Sequence, residues 1–209
     1  MIVGAITGAR ALSTRFARCP ATPAAEVKAR DLLWNFMAVL RRRAGERNER
    51  VRFVFGDAPC GIDEWALEYA YAQRDEHRVF HMDGRVTGWD APTALAVHPS
   101  DTGPECDGAE VDARWAAPGV ETGPLPRNDA MARELAGYTA AGDLVVLAAY
   151  AAPWADTHGT AHTATRVLKR CAAARLRAFL WTVHEDGTSV RERLPRAGRR
   201  GEAASPARR

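Results

Sequence analysis

The stretch "DLVVLAAYAAPWADTHGTAHTATRVLKRCAA", Asp143 to Ala173, holds an apolar run, a loop and the opening of a helix in succession. Asp143 to Ala149 is short and almost wholly apolar, the pattern of a strand buried on both faces. Apolar and polar residues fall at helical spacing from Thr160, which predicts a helix over Thr160 to Ala174. A buried strand that passes through a Gly-Thr turn into a helix belongs to a βαβ unit, and so to a parallel sheet.

The same alternation runs along most of the chain. Met1 to Thr7, "MIVGAIT", reads as a strand bounded by Gly8. Thr22 offers an N-cap and Pro23 a first helical position, after which Ala24 to Arg43 places Val27, Leu32, Leu33, Phe36, Met37 and Leu40 at helical spacing. Val51 to Phe55 is a second strand, and "GDAPCGID" leads from it into a helix that ends near Gln73. Arg78 to His81 reads as a third strand, Arg127 to Ala136 as a helix with Met131 in the core, and Arg177 to Val183 as the last strand. The fold class expected is therefore α/β, three layers, with a mostly parallel sheet and helices on both faces.

Residues 1–192 are read as one domain, interrupted at about 83–126 by a Gly/Pro-rich insertion, with a basic disordered tail over 193–209. The insertion is too long for an inert connection and is expected to form a flap, with Trp89 and Trp115 as stacking surfaces. The tail is dense in arginine, carries one Glu and cannot bury enough apolar surface to order itself. It supplies the excess positive charge of a chain whose net charge is +3.

At 209 residues, 46% hydrophobic and 26% charged, the chain can bury one substantial core. The longest apolar run, Leu144 to Ala152, is too short to span a bilayer, and the first residues lack the pattern of a secretory signal. Cys19, Cys60, Cys106 and Cys171 lie far apart with no C-x-x-C pair, so no metal site, cofactor or disulfide framework is expected, and a cytoplasmic setting is. Apolar helix faces are compatible with a homodimer.

In open parallel sheets ligands bind outside the carboxyl ends of the strands, so the chemistry is sought in the strand-to-helix turns. Thr7-Gly8-Ala9-Arg10 follows the first strand; Gly8 permits a sharp turn and Arg10 carries a forked donor for phosphate or carboxylate. In the second turn Gly56 and Gly61 permit close approach, while Asp63 suits a helix cap, a sugar hydroxyl or a base. Cys60 is assigned a packing role. In "GPLPRNDAM", Gly123 to Met131, the prolines imply an extended entry. Arg127 then suits an anion, with little stability at stake, and Asn128 a base edge, a sugar hydroxyl or loop backbone. The fourth turn ends on Gly159-Thr160, where the amides of a helix start and the threonine hydroxyl suit phosphate. Together the four describe a cleft with two arginines and little negative charge.

The series "TGAR", "FGDAPCGIDEWALEYA", "GPLPRNDAM" and "HGTAHTATRVLKR" resembles the YspA/YpsA-like branch of the SLOG superfamily, the Rossmann-like group that includes DprA and the LOG phosphoribohydrolases. The likeness spans nearly Ile2 to Trp181 outside Asp83 to Thr122. It implies a Rossmann-like fold in which Gly8, Arg10, Gly56, Gly61, Asp63, Arg127, Asn128, Gly159 and Thr160 line a site for a nucleotide or nucleotide-derived ligand. The P-G-G-x-G-T-x-x-E signature of the LOG enzymes is absent, so cytokinin-type hydrolysis is not implied.

The leading expectation is a binder of that ligand, acting as a sensor or accessory module. The alternative is an N-glycosidase in which Asp57, Asp63 or Glu64 supplies the carboxylate for an oxocarbenium-like transition state. DNA binding through the arginine-rich tail, in the manner of DprA, is the weaker reading of the same sequence.

Overall fold

The structure, a computed structural model, describes residues 1–58, 60–88, 123–155 and 158–195. Residues 89–122 of the expected flap, with Trp89 and Trp115, and nearly all of the expected tail lie outside the described residues. The strands β1 (Ile2–Gly8), β2 (Val51–Gly56), β3 (Glu76–Phe80), β4 (Val86–Gly88), β5 (Leu144–Ala151), β6 (Leu176–Val183) and β7 (Ser189–Arg193) form one sheet in the order β4-β3-β2-β1-β5-β6-β7. The five inner strands are parallel, and β4 and β7 pair antiparallel at the two edges. The helices are α1 (Pro23–Glu46), α2 (Ile62–Gln73), α3 (Pro124–Ala140) and α4 (His158–Arg170).

Alternation along the strands divides the interior into two cores. Ile2 and Ile6 of β1, with Phe53 and Phe55 of β2, pack with residues of α1 and α2 such as Leu33, Met37 and Trp65. Val3 and Ala5, with Val54 and Leu147, pack with Met131 and Leu135 of α3 and Val167 of α4. Helices therefore cover both faces, and the Rossmann-like three-layer reading holds. The fully buried aromatic and aliphatic side chains are worth about 1.5–3 kcal/mol each against exposure, and β1, β2 and β5 contribute Ile2, Ile6, Phe53, Phe55, Leu147 and Tyr150 to them.

Several boundaries differ from the sequence reading for physical reasons. Thr22 caps α1 by accepting a hydrogen bond from the Ala25 amide at 3.2 Å, as its position suggested. Pro124 and Pro126 lie inside the first turn of α3 rather than in an extended entry, because first-turn amides have no intrahelical acceptor and proline loses nothing there. Val86–Gly88 of the expected insertion is strand, and Arg193 of the expected tail ends β7. The Leu194 amide continues that edge, donating to the Ala178 carbonyl at 2.9 Å. No helix among the described residues is long and apolar enough to cross a membrane.

Candidate functional site

From β1 the chain runs outward through β2 and β3, then returns to β5 on the other side of β1. That reversal opens the crevice where ligands of such sheets bind. Gly8 pairs with Tyr150 at the carboxyl ends of β1 and β5, and the Ala9 amide extends the ladder to the Tyr150 carbonyl at 3.0 Å. Arg10 begins a one-turn 3-10 helix and sets its guanidinium 5.0 Å from the Phe16 ring centroid.

Gly8 and Gly61 serve packing here. A Cβ on Gly8 would fall 2.2 Å and 2.5 Å from side-chain carbons of Ile62, the first residue of α2. Gly61 has φ +78°, and a Cβ there would approach the Ala9 carbonyl to 3.2 Å. The two glycines let the exit of β1 close on the entry of α2.

The chemistry gathers one turn away. Asp57 follows β2, and its Oδ1 accepts from Arg127 Nη1 at 3.1 Å. Its Oδ2 accepts from the Met82 amide at 3.1 Å and lies 3.4 Å from His81 Nδ1. Asp63, in the first turn of α2, accepts from the Ala58 amide at 3.3 Å and lies 3.6 Å from the same Nη1. Gly56 is what admits this group: a Cβ there would stand 2.5 Å from Asp63 Oδ2 and 2.6 Å from Arg127 Nη1. Arg127 turns its other edge to Asn128 Oδ1, at 3.2 Å from Nε and 3.1 Å from Nη2. Asn128 in turn donates to the Gly159 carbonyl at 3.3 Å, which also accepts from Thr163 Oγ1 at 3.0 Å. A continuous polar chain thus runs from the end of β2 to the start of α4.

This overturns the expected charge balance. The cleft was read as holding arginines with little negative charge; Arg127 is instead clamped by two carboxylates whose side chains are each only 5% exposed. Asn128 is 1% exposed and gives its amide to backbone in the first turn of α4, where loop backbone, a base edge or a sugar hydroxyl is expected from the sequence. His81, absent from the sequence candidates, joins the cluster from the end of β3. Its position at the carboxyl end of a strand next to β2 was the available signal.

The two carboxylates are held in opposite conditions. Burial pushes Asp57 up, but His81, the Arg127 guanidinium and the Met82 amide outweigh it and bring its pKa from 3.8 down to about 2. Burial pushes Asp63 up and prevails over Arg127 and the backbone amides, with Asp57 adding repulsion. Asp57 is held ionised more firmly than an ordinary carboxylate, and Asp63 gives up its proton less readily than one.

Glu64, the third acid read from the sequence, is not in the cluster. Its Oε1 accepts from Arg15 Nη1 at 2.6 Å, and burial raises its pKa. Gly159 and Thr160 lie at the second and third positions of α4, which begins two residues before the Thr160 start that the spacing predicts. Thr160 is buried, whereas Gly159 is exposed and a Cβ on it would meet nothing within 4 Å. Helix geometry leaves the first amides of α4 without intrahelical acceptors, beside this open space.

Beside the cluster, toward the β4 edge, lies a cavity of about 420 Å³. It is lined by the turn between β3 and β4, the first turns of α3 and the end of α4, with Arg85, Arg127, Arg133 and Arg170 among its residues. Sequence reasoning finds only Arg127 of these, because Arg85 stands in the expected insertion and Arg133 and Arg170 stand in expected helices away from the strand-to-helix turns. Among the described residues no group of three or more His, Cys, Asp or Glu side chains is placed to hold a metal ion.

Comparison with protein-family models, with curated proteins and with solved structures gives no match for this chain.

Proposed function

We infer that the chain binds a nucleotide or nucleotide-derived small molecule in the cleft along the carboxyl ends of its strands, as a sensor or accessory module. The observation that carries the reading is the polar chain Asp57–Arg127–Asn128–Gly159, which pins the start of α4 to the end of β2. Fixing a helix start in this way orients its free amides and its positive dipole end before a ligand arrives, and such an end favours phosphate. Gly159, with open space where a side chain would stand, leaves those amides approachable. The likeness of the four turns to the YspA/YpsA-like branch of the SLOG superfamily supports the same ligand class, and scattered cysteines without a metal or disulfide spacing support a cytoplasmic setting.

The test is mass spectrometry of small molecules released from the purified protein, followed by thermal shift against a panel of nucleosides, nucleotides and nucleotide sugars. A co-purifying nucleotide, or a rise in melting temperature restricted to phosphorylated members, is expected. A flat response across the panel rejects the reading.

A second reading, N-glycosidic hydrolysis, is favoured by the opposed carboxylates. Asp57, ionised, suits stabilisation of an oxocarbenium-like transition state; Asp63, whose burial raises its pKa, is the better placed of the two to donate a proton to the departing base. Free base released from a nucleotide panel, and lost in Asp63→Asn with the fold retained, separates this enzyme from a binder.

A further inference from the structure

We propose that the arginine-lined cavity between the β3–β4 turn and α3 is a second anion site, which takes a small ligand carrying two or more linked phosphates. The observations are its size, its charge and the state of its arginines. A volume of about 420 Å³ falls within the range of small-molecule sites and is too confined for a duplex. The acid on its wall, Asp129, is already held by Arg166 at 3.1 Å and Arg170 at 3.8 Å.

Arg85 is matched by one close carboxylate, Asp83 at 2.6 Å, and Arg127 by two, Asp57 at 3.1 Å and Asp63 at 3.6 Å. Arg133 is exposed and makes no ion pair among the described residues. The lining itself sets four arginines against one carboxylate, Asp129, and Arg133 is the arginine among them with no carboxylate of its own among the described residues, so the wall presents positive charge. Guanidinium groups converging from a turn and two helices match the several oxygens of linked phosphates better than the single centre of an isolated phosphate. This site shares Arg127 with the nucleotide reading above but does not use the start of α4, so variants at Arg133 and at Gly159 tell the two apart.

Isothermal titration with inorganic phosphate, pyrophosphate and tripolyphosphate tests it, in the parent protein and in Arg133→Ala, Arg170→Ala and Gly159→Val. Affinity should rise from phosphate to tripolyphosphate and fall with added salt. Arg133→Ala and Arg170→Ala should each weaken tripolyphosphate by about tenfold or more, the loss expected for a charged hydrogen-bond donor, while the Arg133-dependent binding persists in Gly159→Val. Arg133 is exposed, so an unaltered unfolding transition is expected in Arg133→Ala and keeps the comparison clean.

Equal affinity for phosphate and tripolyphosphate, or tripolyphosphate binding untouched by both arginine variants, overturns the proposal. So does an oligonucleotide that needs Arg133 when tripolyphosphate does not bind. Arginine-dependent tripolyphosphate binding alongside a flat nucleoside and nucleotide panel upholds this site and rejects only the nucleotide reading.

Discussion

Arg127 illustrates how one residue changes meaning once its neighbours are known. Read alone it is an anion ligand whose loss spares the fold; clamped between Asp57 and Asp63, with its side chain 13% exposed, it balances two carboxylates that are out of water. Arg127→Ala is therefore expected to destabilise the protein by about 3–5 kcal/mol, the cost of stranding buried charge, as measured by urea unfolding. The two acids themselves respond to pH in opposite ways. Asp57, depressed from 3.8 to about 2, contributes stability that is present above pH 4 and lost as pH falls toward 2. Asp57→Asn should thus cost about 2 kcal/mol at pH 7 and progressively less below pH 4. Asp63 is raised, so its ionisation above the unfolded value opposes folding, and Asp63→Asn should cost nothing or stabilise at pH 7. Equal losses in the two variants at pH 7 would contradict the opposed assignment.

At the scale of elements, the contact between β1 and α2 governs how the sheet presents its edge. Gly8→Ala drives a methyl to 2.2 Å from Ile62 Cγ1 and 2.5 Å from its Cβ, in a core with no slack. A loss of about 1–3 kcal/mol is expected from thermal or urea unfolding. Adding Ile62→Ala should recover only part of it, since the Cβ of residue 62 remains. The long elements were legible in the sequence because each carries its own period: α1 through Leu33, Phe36, Met37 and Leu40, β5 through an unbroken apolar run. The short edge strands were not. Val86–Gly88 has three residues, and Ser189–Arg193 has a single apolar one, so neither shows an alternation from which a strand can be read. Both are strands because a neighbour offers them hydrogen-bonding groups, which is a property of the sheet.

Across the whole molecule, the order of the strands decides which turns meet, and that order is why the candidate site was only half legible. The turns were identified from local chemistry, glycine beside an apolar run and a polar residue at a helix start. Their mutual contacts were not, because Asp57 and Arg127 are 70 residues apart and the spacing of neither records the other. Assembly of the sheet joins them and, through Asn128, carries the connection to the first turn of α4. Stability and ligand binding should therefore separate cleanly at one position. Gly159 is exposed, inside a helix, and surrounded by open space, so Gly159→Val meets no clash in the protein and replaces the poorer helix former. The melting temperature should hold or rise slightly, while the valine side chain occupies the space that a phosphate needs beside the first amides of α4. Nucleotide affinity measured by titration calorimetry should fall below detection with the unfolding transition intact; undiminished affinity would move the ligand away from this helix start.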